Sequence, residues 1–172
     1  GVTLNTATGQ VSVAPGTPVG NYSIGYKICE KLNPGNCATA TVAVVVSAAA
    51  ISAAADTPTP VNGANGAATL INALANDRLD GAAVNIADIN LTILSPATDA
   101  GVVLNSSTGV VSVAPGTPAG TYTIGYRICE KLNPANCADS SVTVVVTAAA
   151  VVATNDTPAP VNGADGDPAV VN

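Results

Sequence analysis

The sequence predicts an all-β protein built from tandem sandwich repeats of 100 residues, and three observations carry that prediction. The first is self-similarity at a fixed offset. Gly1-Val2-Thr3-Leu4-Asn5 returns as Gly101-Val102-Val103-Leu104-Asn105, and Tyr22-Ser23-Ile24-Gly25-Tyr26-Lys27-Ile28-Cys29-Glu30 returns as Tyr122-Thr123-Ile124-Gly125-Tyr126-Arg127-Ile128-Cys129-Glu130, with no gap between the matches. Of the 72 overlapping pairs, 47 are identical, and a fixed period of this kind marks a repeat architecture. The second observation is a series of short β-rich runs separated by turn residues, and the third is a pair of alternating strands that bring two cysteines together.

The offset divides the chain into three unequal pieces: the C-terminal half of one repeat over 1–52, a complete repeat over 53–152, and the start of the next over 153–172. A chain out of phase with its own period reads as a window on a longer array, so leader or anchor segments are expected elsewhere in the parent. One hundred residues suffice for a single hydrophobic core.

In the complete repeat, Thr57-Pro58-Thr59-Pro60 is a polar, proline-punctuated opening, and Asn62-Gly63 and Asn65-Gly66 are turn dipeptides. Strands are expected over 60–62, 68–74, 90–94, 102–105, 110–113, 121–129 and 137–147. Seven short strands with turn signals between them suggest a sandwich of two sheets. The run over 48–56 follows the counterpart of the last strand and is expected to join one repeat to the next.

The last two strands are the best defined. Tyr122, Ile124, Tyr126 and Ile128 share one parity and form the expected core face, while Thr123, Gly125, Arg127 and Cys129 take the other. On the partner strand Ala138, Val142, Val144 and Val146 share one parity, and Cys137, Asp139, Ser141 and Thr143 the opposite one. Both cysteines therefore face solvent and can meet across the hairpin. Cys29 and Cys37 have seven residues between them, as do Cys129 and Cys137. Four cysteines allow three pairings, and the repeat selects the one in which each pair closes its own hairpin. Zinc is disfavoured because there is no histidine and the two pairs lie in different repeats. Hairpin disulfides imply an oxidising compartment.

Composition narrows function. Charged residues make up 9% of the chain, against roughly 25% in a typical soluble domain, while apolar residues reach 48% and aromatics only 2%. The surface must then consist largely of Ala, Thr, Ser, Asn and Val, a weakly solvated coat that suggests cover from neighbouring copies. A net charge of −6, from 11 acidic and 5 basic residues without a basic patch or aromatic platform, disfavours nucleic acid as a partner. The stretch 37–55 carries no formal charge and approaches bilayer-spanning length. Its alternation and β-branched content favour a strand over a membrane span, so no membrane insertion is expected.

The segment Gly101-Val102-Val103-Leu104-Asn105-Ser106-Ser107-Thr108-Gly109-Val110-Val111-Ser112-Val113, with Pro118-Ala119-Gly120-Thr121-Tyr122-Thr123 after it, resembles the immunoglobulin-like and cadherin-like repeats of very large bacterial surface proteins. Leu74-Ala75-Asn76-Asp77 is similar to a segment that many such repeats carry near their start. The resemblance implies tandem immunoglobulin-like β-sandwiches in an extracellular or cell-surface setting, in proteins that serve as stalks, adhesins or fibre subunits. The hairpin Cys-Glu-Lys-Leu-Asn-Pro-x-Asn-Cys is not a general feature of those repeats. Tyr22 and Tyr122 each follow a Pro-Gly-Thr-Pro-x-Gly turn, where such sandwiches often place a tyrosine that bonds back to the turn; core packing alone explains them equally well, as it does Tyr26 and Tyr126.

The cadherin-like resemblance also implies calcium at the junctions, with Asp56, Asn76, Asp77 and Asp80, and Asp156, Asp165 and Asp167 in the following unit, as candidate ligands. Turn and cap aspartates are the favoured reading, since calcium takes six to eight oxygens, and no cofactor is expected. Lys31 and Lys131 read as exposed hairpin lysines. Catalysis fails on inventory: without histidine, and with the cysteines committed, Ser-His and Cys-His systems are excluded. Asp77 and Asp80 are the remaining carboxylate pair, and nothing like a sugar-stacking aromatic accompanies them. The chain is therefore expected not to be an enzyme. It reads as a structural repeat of a bacterial extracellular fibre, filament or sheath whose partners are neighbouring copies of itself. The alternative is a spacer in the stalk of a large adhesin, with polysaccharide or cell-surface contacts made elsewhere.

Overall fold

The computed structural model describes residues 1–164 and 166. Among them are fourteen strands and no helix, and so no helix long and apolar enough to cross a membrane. The protein is all-β. Its complete repeat is an immunoglobulin-like sandwich whose two sheets enclose one core.

The first sheet forms around β13 (Gly120–Glu130) and β14 (Cys137–Thr147), antiparallel in unbroken register from Gly120 opposite Val146 to Cys129 opposite Cys137. On the far side of β13 lies β10 (Ile89–Ser95), with a bulge between Ile93 and Ser95. On the far side of β14, β6 (Val61–Asn62) runs parallel. Upstream of β6 the chain touches β14 once more, where the Asp56 amide donates to Ser141 O and the Thr143 amide to Asp56 O. Pro58 and Pro60 lie between the two contacts, and a proline has no N–H to give a ladder. The second sheet has β12 (Val110–Val113) between β11 (Val102–Leu104) and β7 (Ala67–Asn72).

Alternation along these strands builds the core. Tyr122, Ile124, Tyr126 and Ile128 from β13 and Val142, Val144 and Val146 from β14 meet Val102, Leu104, Val111 and Val113 from the facing sheet. Leu74, Ile89 and Leu91 complete the cluster. On the outer face, Arg127 and Asp139 sit directly opposite each other and pair through two hydrogen bonds. Tyr122 donates its hydroxyl proton to Pro118 O at 2.9 Å, and Tyr22 to Pro18 O at 2.8 Å, so both form a tyrosine corner.

A third, small sheet was not legible in the sequence. It comprises β5 (Ile51–Ser52), β8 (Arg78–Leu79) and β9 (Ala82–Ala83). Because β5 pairs with β8 and Ile51 and Ala53 pack on the core, the segment between repeats shortens to 47–50.

The leading piece repeats two hairpins of the sandwich: β1 (Val2–Leu4) with β2 (Val11–Val13), and β3 (Gly20–Cys29) with β4 (Cys37–Val46). Their registers match those of β11 with β12 and β13 with β14, residue for residue. The chain carries no counterpart of β7 or β10 for these hairpins, and burial suffers. Tyr22 and Tyr26, expected in a core, are only half-buried, and Ile28 is 64% exposed where Ile128 is fully buried. Residues 148–162 form no strand and are exposed.

Emptying a buried side chain costs both transfer free energy and a cavity. Ile124→Ala is expected to lower the stability of the complete repeat by about 2–5 kcal/mol in urea unfolding, while Ile24→Ala, at the same place in the half-covered hairpin, has a clearly smaller effect. Equal effects would contradict this account of where the core lies.

Candidate functional site

Two features stand out chemically, a buried acid cluster at the start of the complete repeat and the joint between the repeats. The acid cluster is built around the turn between β7 and β8. Leu74 there points into the core, and the turn closes through hydrogen bonds from Ala75 N to Asn72 O and from Asp77 N to Leu74 O. This leaves Asp77 fully buried. Its carboxylate accepts hydrogen bonds from Ala54 N at 2.8 Å and from the Tyr126 hydroxyl at 3.2 and 3.3 Å. The Tyr126 hydroxyl also lies 3.2 Å from Ala73 O and 3.3 Å from Ala54 O. Asn76 donates to Asp56 Oδ1 and to Ala55 O. The Leu-Ala-Asn-Asp run thus fastens the incoming segment 54–56 to the sandwich through one buried tyrosine on β13.

Asp77 lies close enough to Asp56 for its charge to oppose ionisation there. Burial, reinforced by the charge on Asp77, pushes the Asp56 carboxyl up to about 6, against the pull of its hydrogen bond from Asn76. Burial also raises Asp77, and it raises Tyr126, whose ionisation the two aspartates further oppose. The carboxylate partner of Asp77 is therefore Asp56. Asp80, the only other carboxylate that the sequence offers as its pair and itself read first as a turn aspartate, lies exposed on the β8–β9 turn with φ 52° and gives its amide to Ala50 O.

The calcium implied by the cadherin-like resemblance does not fit these residues. Asp77 is held by a backbone amide and a phenol, and Asp56 Oδ1 by Asn76. Asp56 Oδ2 is left as a lone buried oxygen without a partner, far short of a calcium shell. Among the described residues no three acidic, histidine or cysteine side chains are grouped to hold a metal. Asp156 is exposed on the chain after β14, and Asp165 and Asp167 lie outside the described residues.

The joint between repeats is made by the disulfide hairpins. Cys129 is bonded to Cys137 and Cys29 to Cys37, and no cysteine is free. Within the tip, Glu130 accepts from the side-chain amides of Asn133 at 2.9 Å and Asn136 at 2.8 Å. Lys131 fixes the tip to its own sandwich, its amide bonding Asp88 O and its ammonium Ile86 O and Ala87 O. The tip then reaches the preceding repeat. Asn133 Oδ1 accepts from Val19 N at 2.8 Å, and Asn136 Nδ2 donates to Ala49 O at 2.8 Å. Val19, Ala48 and the tip residues line a depression at this contact. Next along the chain, Asp80 N bonds Ala50 O, Ile51 and Ser52 pair with Leu79 and Arg78, and Ala54 N bonds Asp77. The connection is held by protein groups at nearly every residue from 49 to 54.

The role of the tip is not legible from the sequence alone. Glu, Asn and Asn at fixed spacing inside a disulfide loop was the signal available, but what they bind could not be read without the neighbouring repeat. For catalysis the inventory is short, since the chain has no histidine and all four cysteines are oxidised.

No family model matches the chain, and no curated protein sequence matches it. Solved structures do match. The human desmocollin-1 ectodomain matches over 64% of this chain and 23% of its own, at 9% identity and a TM-score of 0.43. Mouse cadherin-23 EC22-24 matches over 86% and 50%, at 14% identity and 0.44. A SusE-like surface-located polysaccharide-binding protein from the heparin utilisation locus of Bacteroides thetaiotaomicron matches over 86% and 22%, at 20% identity and 0.40. The chain thus spans half or less of the length of each. At these TM-scores the likenesses carry no statement about ligand or partner.

The folded chain holds the Asp56 and Asp77 protons more tightly than the unfolded chain, whose carboxyls titrate near 3.8. For Asp56 that contribution to stability is complete below about pH 4 and is lost as the pH rises through about 6, and the raised Asp77 carboxyl acts in the same direction. The thermal midpoint is expected to be lower at pH 7.5 than at pH 5, and Asp56→Asn should remove most of that difference. Millimolar calcium or a chelator should leave the midpoint unchanged, and a large drop with chelator would restore the metal.

Proposed function

We propose that the chain is a structural repeat segment of an extracellular fibre, filament or sheath, acting as a non-catalytic rod whose repeats associate through strand edges and Ala/Val-rich faces. The observation that carries this reading is the joint, where the chain is hydrogen-bonded to the following sandwich nearly residue by residue. A connection tied in this way has little freedom to bend, and stiffness between successive repeats is what a filament requires. Two hairpin disulfides favour an extracellular or cell-surface location.

Lateral association is supported by the surface. Val103, Val145, Ile93 and Leu94 are exposed on the complete repeat, and Val45, the counterpart of Val145, on the leading hairpin, with few charges between them to oppose contact. A spacer in an adhesin stalk is the second reading, favoured by the same stiffness if those faces stay solvated. Polysaccharide or cell-surface contacts would then belong to another domain.

Sedimentation velocity and electron microscopy of the chain at rising concentration separate the two. Laterally associated threads are expected, and a monodisperse, unassociated species at high concentration would favour the spacer.

A further inference from the structure

We propose that the disulfide-closed tip is a plug, that the Pro-rich turn and the chain after the last strand form its socket, and that the unfilled plug and socket of this chain each accept a second copy of the repeat. The inference rests on reading the chain as part of a tandem array; it does not depend on lateral association.

The filled joint defines the geometry. Its plug is Glu130, Leu132, Asn133 and Asn136, and its socket is the Val19 amide and the Ala49 carbonyl. Every one of these groups recurs 100 positions away. Glu30, Leu32, Asn33 and Asn36 form a second plug, and Ala119 and Ala149 offer a second socket.

The unfilled plug and the Pro-rich turn of the unfilled socket are already in their docking conformations. In the free plug, Glu30 accepts from Asn33 at 2.7 Å and from Asn36 at 3.0 Å, the same pattern as in the filled one. Those two amides, Asn36 first, hold the Glu30 carboxyl below its ordinary range. With each side-chain nitrogen engaged, the amide oxygen of Asn33 is left to accept, as that of Asn133 does from Val19. In the free socket, Thr117 Oγ1 donates to Ala114 O at 2.7 Å and Tyr122 to Pro118 O at 2.9 Å. In the filled socket the matching distances are 2.6 and 2.8 Å. The turn thus presents the amide of residue 119 as it presents that of residue 19, and among the described residues the Ala119 amide has no partner. Groups ordered before contact lose little further freedom on binding.

Leu132 lines the filled joint beside Val19 and Ala48; its counterpart Leu32 is 88% exposed, lacking both a socket and the edge of its own sandwich that covers Leu132. Plug and socket are different surfaces at opposite ends of a repeat, so the contact is head-to-tail, and a head-to-tail contact that does not close on itself propagates as a filament. Among the described residues the plug contact has no metal ligand set, and its carboxylate, Glu130, is already hydrogen-bonded, so what fits it is the neutral amide and carbonyl of another copy's socket.

Amide hydrogen exchange on the full chain tests the proposal. Corrected for side-chain type, the Val19 amide should exchange at least about tenfold more slowly than the Ala119 amide, because only Val19 has a plug seated on it. Asn133→Ala should bring Val19 to the Ala119 rate while leaving the amides of β13 and β14 unchanged. In a longer chain with a further copy of residues 53–152 inserted after Val152, the Ala119 amide should become protected as Val19 is. Equal rates for Val19 and Ala119 in the unaltered chain, or an Ala119 amide that stays fast in the longer one, would overturn it. Either result stands apart from whether threads associate laterally, which microscopy reads separately.

Discussion

Ten consecutive residue pairs hold β13 against β14, and that register sets the position of almost everything else. One face of the hairpin supplies Tyr122, Ile124, Tyr126, Val142, Val144 and Val146 to the core. Its two edges carry β10 and the incoming segment with β6. Its tip, closed by Cys129 and Cys137, projects to the preceding repeat. A slip of one residue would turn the valines and tyrosines outward and the cysteines inward, losing core, disulfide and joint together.

Tyr126 links this hairpin to the beginning of its own repeat. Its ring is fully buried, and its hydroxyl reaches the Asp77 carboxylate and the carbonyls of Ala54 and Ala73. Burying Asp77 would be costly if it were unpaired; the amide of Ala54 and the phenol offset that cost and at the same time fix where the chain enters the sandwich. Asp56 is less completely satisfied, and the closeness of the two acids makes this corner responsive to pH. The same corner explains why a metal is not needed to hold the joint: the linker's polar groups are already answered by Asn136, Asp80, β8 and Asp77.

The two copies of the long hairpin form an internal comparison. The same residues in the same register are buried in one and half-exposed in the other. Local sequence therefore suffices to make the hairpin and its tip, including the Glu-Asn-Asn clamp and the tyrosine corner. The facing sheet and β10 supply the burial that turns the hairpin into a core.

What the sequence determined by itself was whatever depends on period and parity. The offset of 100 set the repeat, alternation in 122–128 and 138–146 chose the buried face, and the shared parity of Cys129 and Cys137 brought them together, because side-chain direction in a strand follows directly from residue count. Contacts between segments far apart in the chain escaped it. The two-residue strands β5, β8 and β9 are too short to show any period. Asp77 reads from the sequence as a turn aspartate, with Asp80 its nearest carboxylate, whereas folding brings it to Asp56 and Tyr126. Asn133 and Asn136 had no role that the sequence could assign. Only the tertiary structure, by laying one repeat's turn against the next repeat's hairpin tip, decided that these side chains bind across the junction, since partnership of that kind depends on distance in space and not on spacing along the chain.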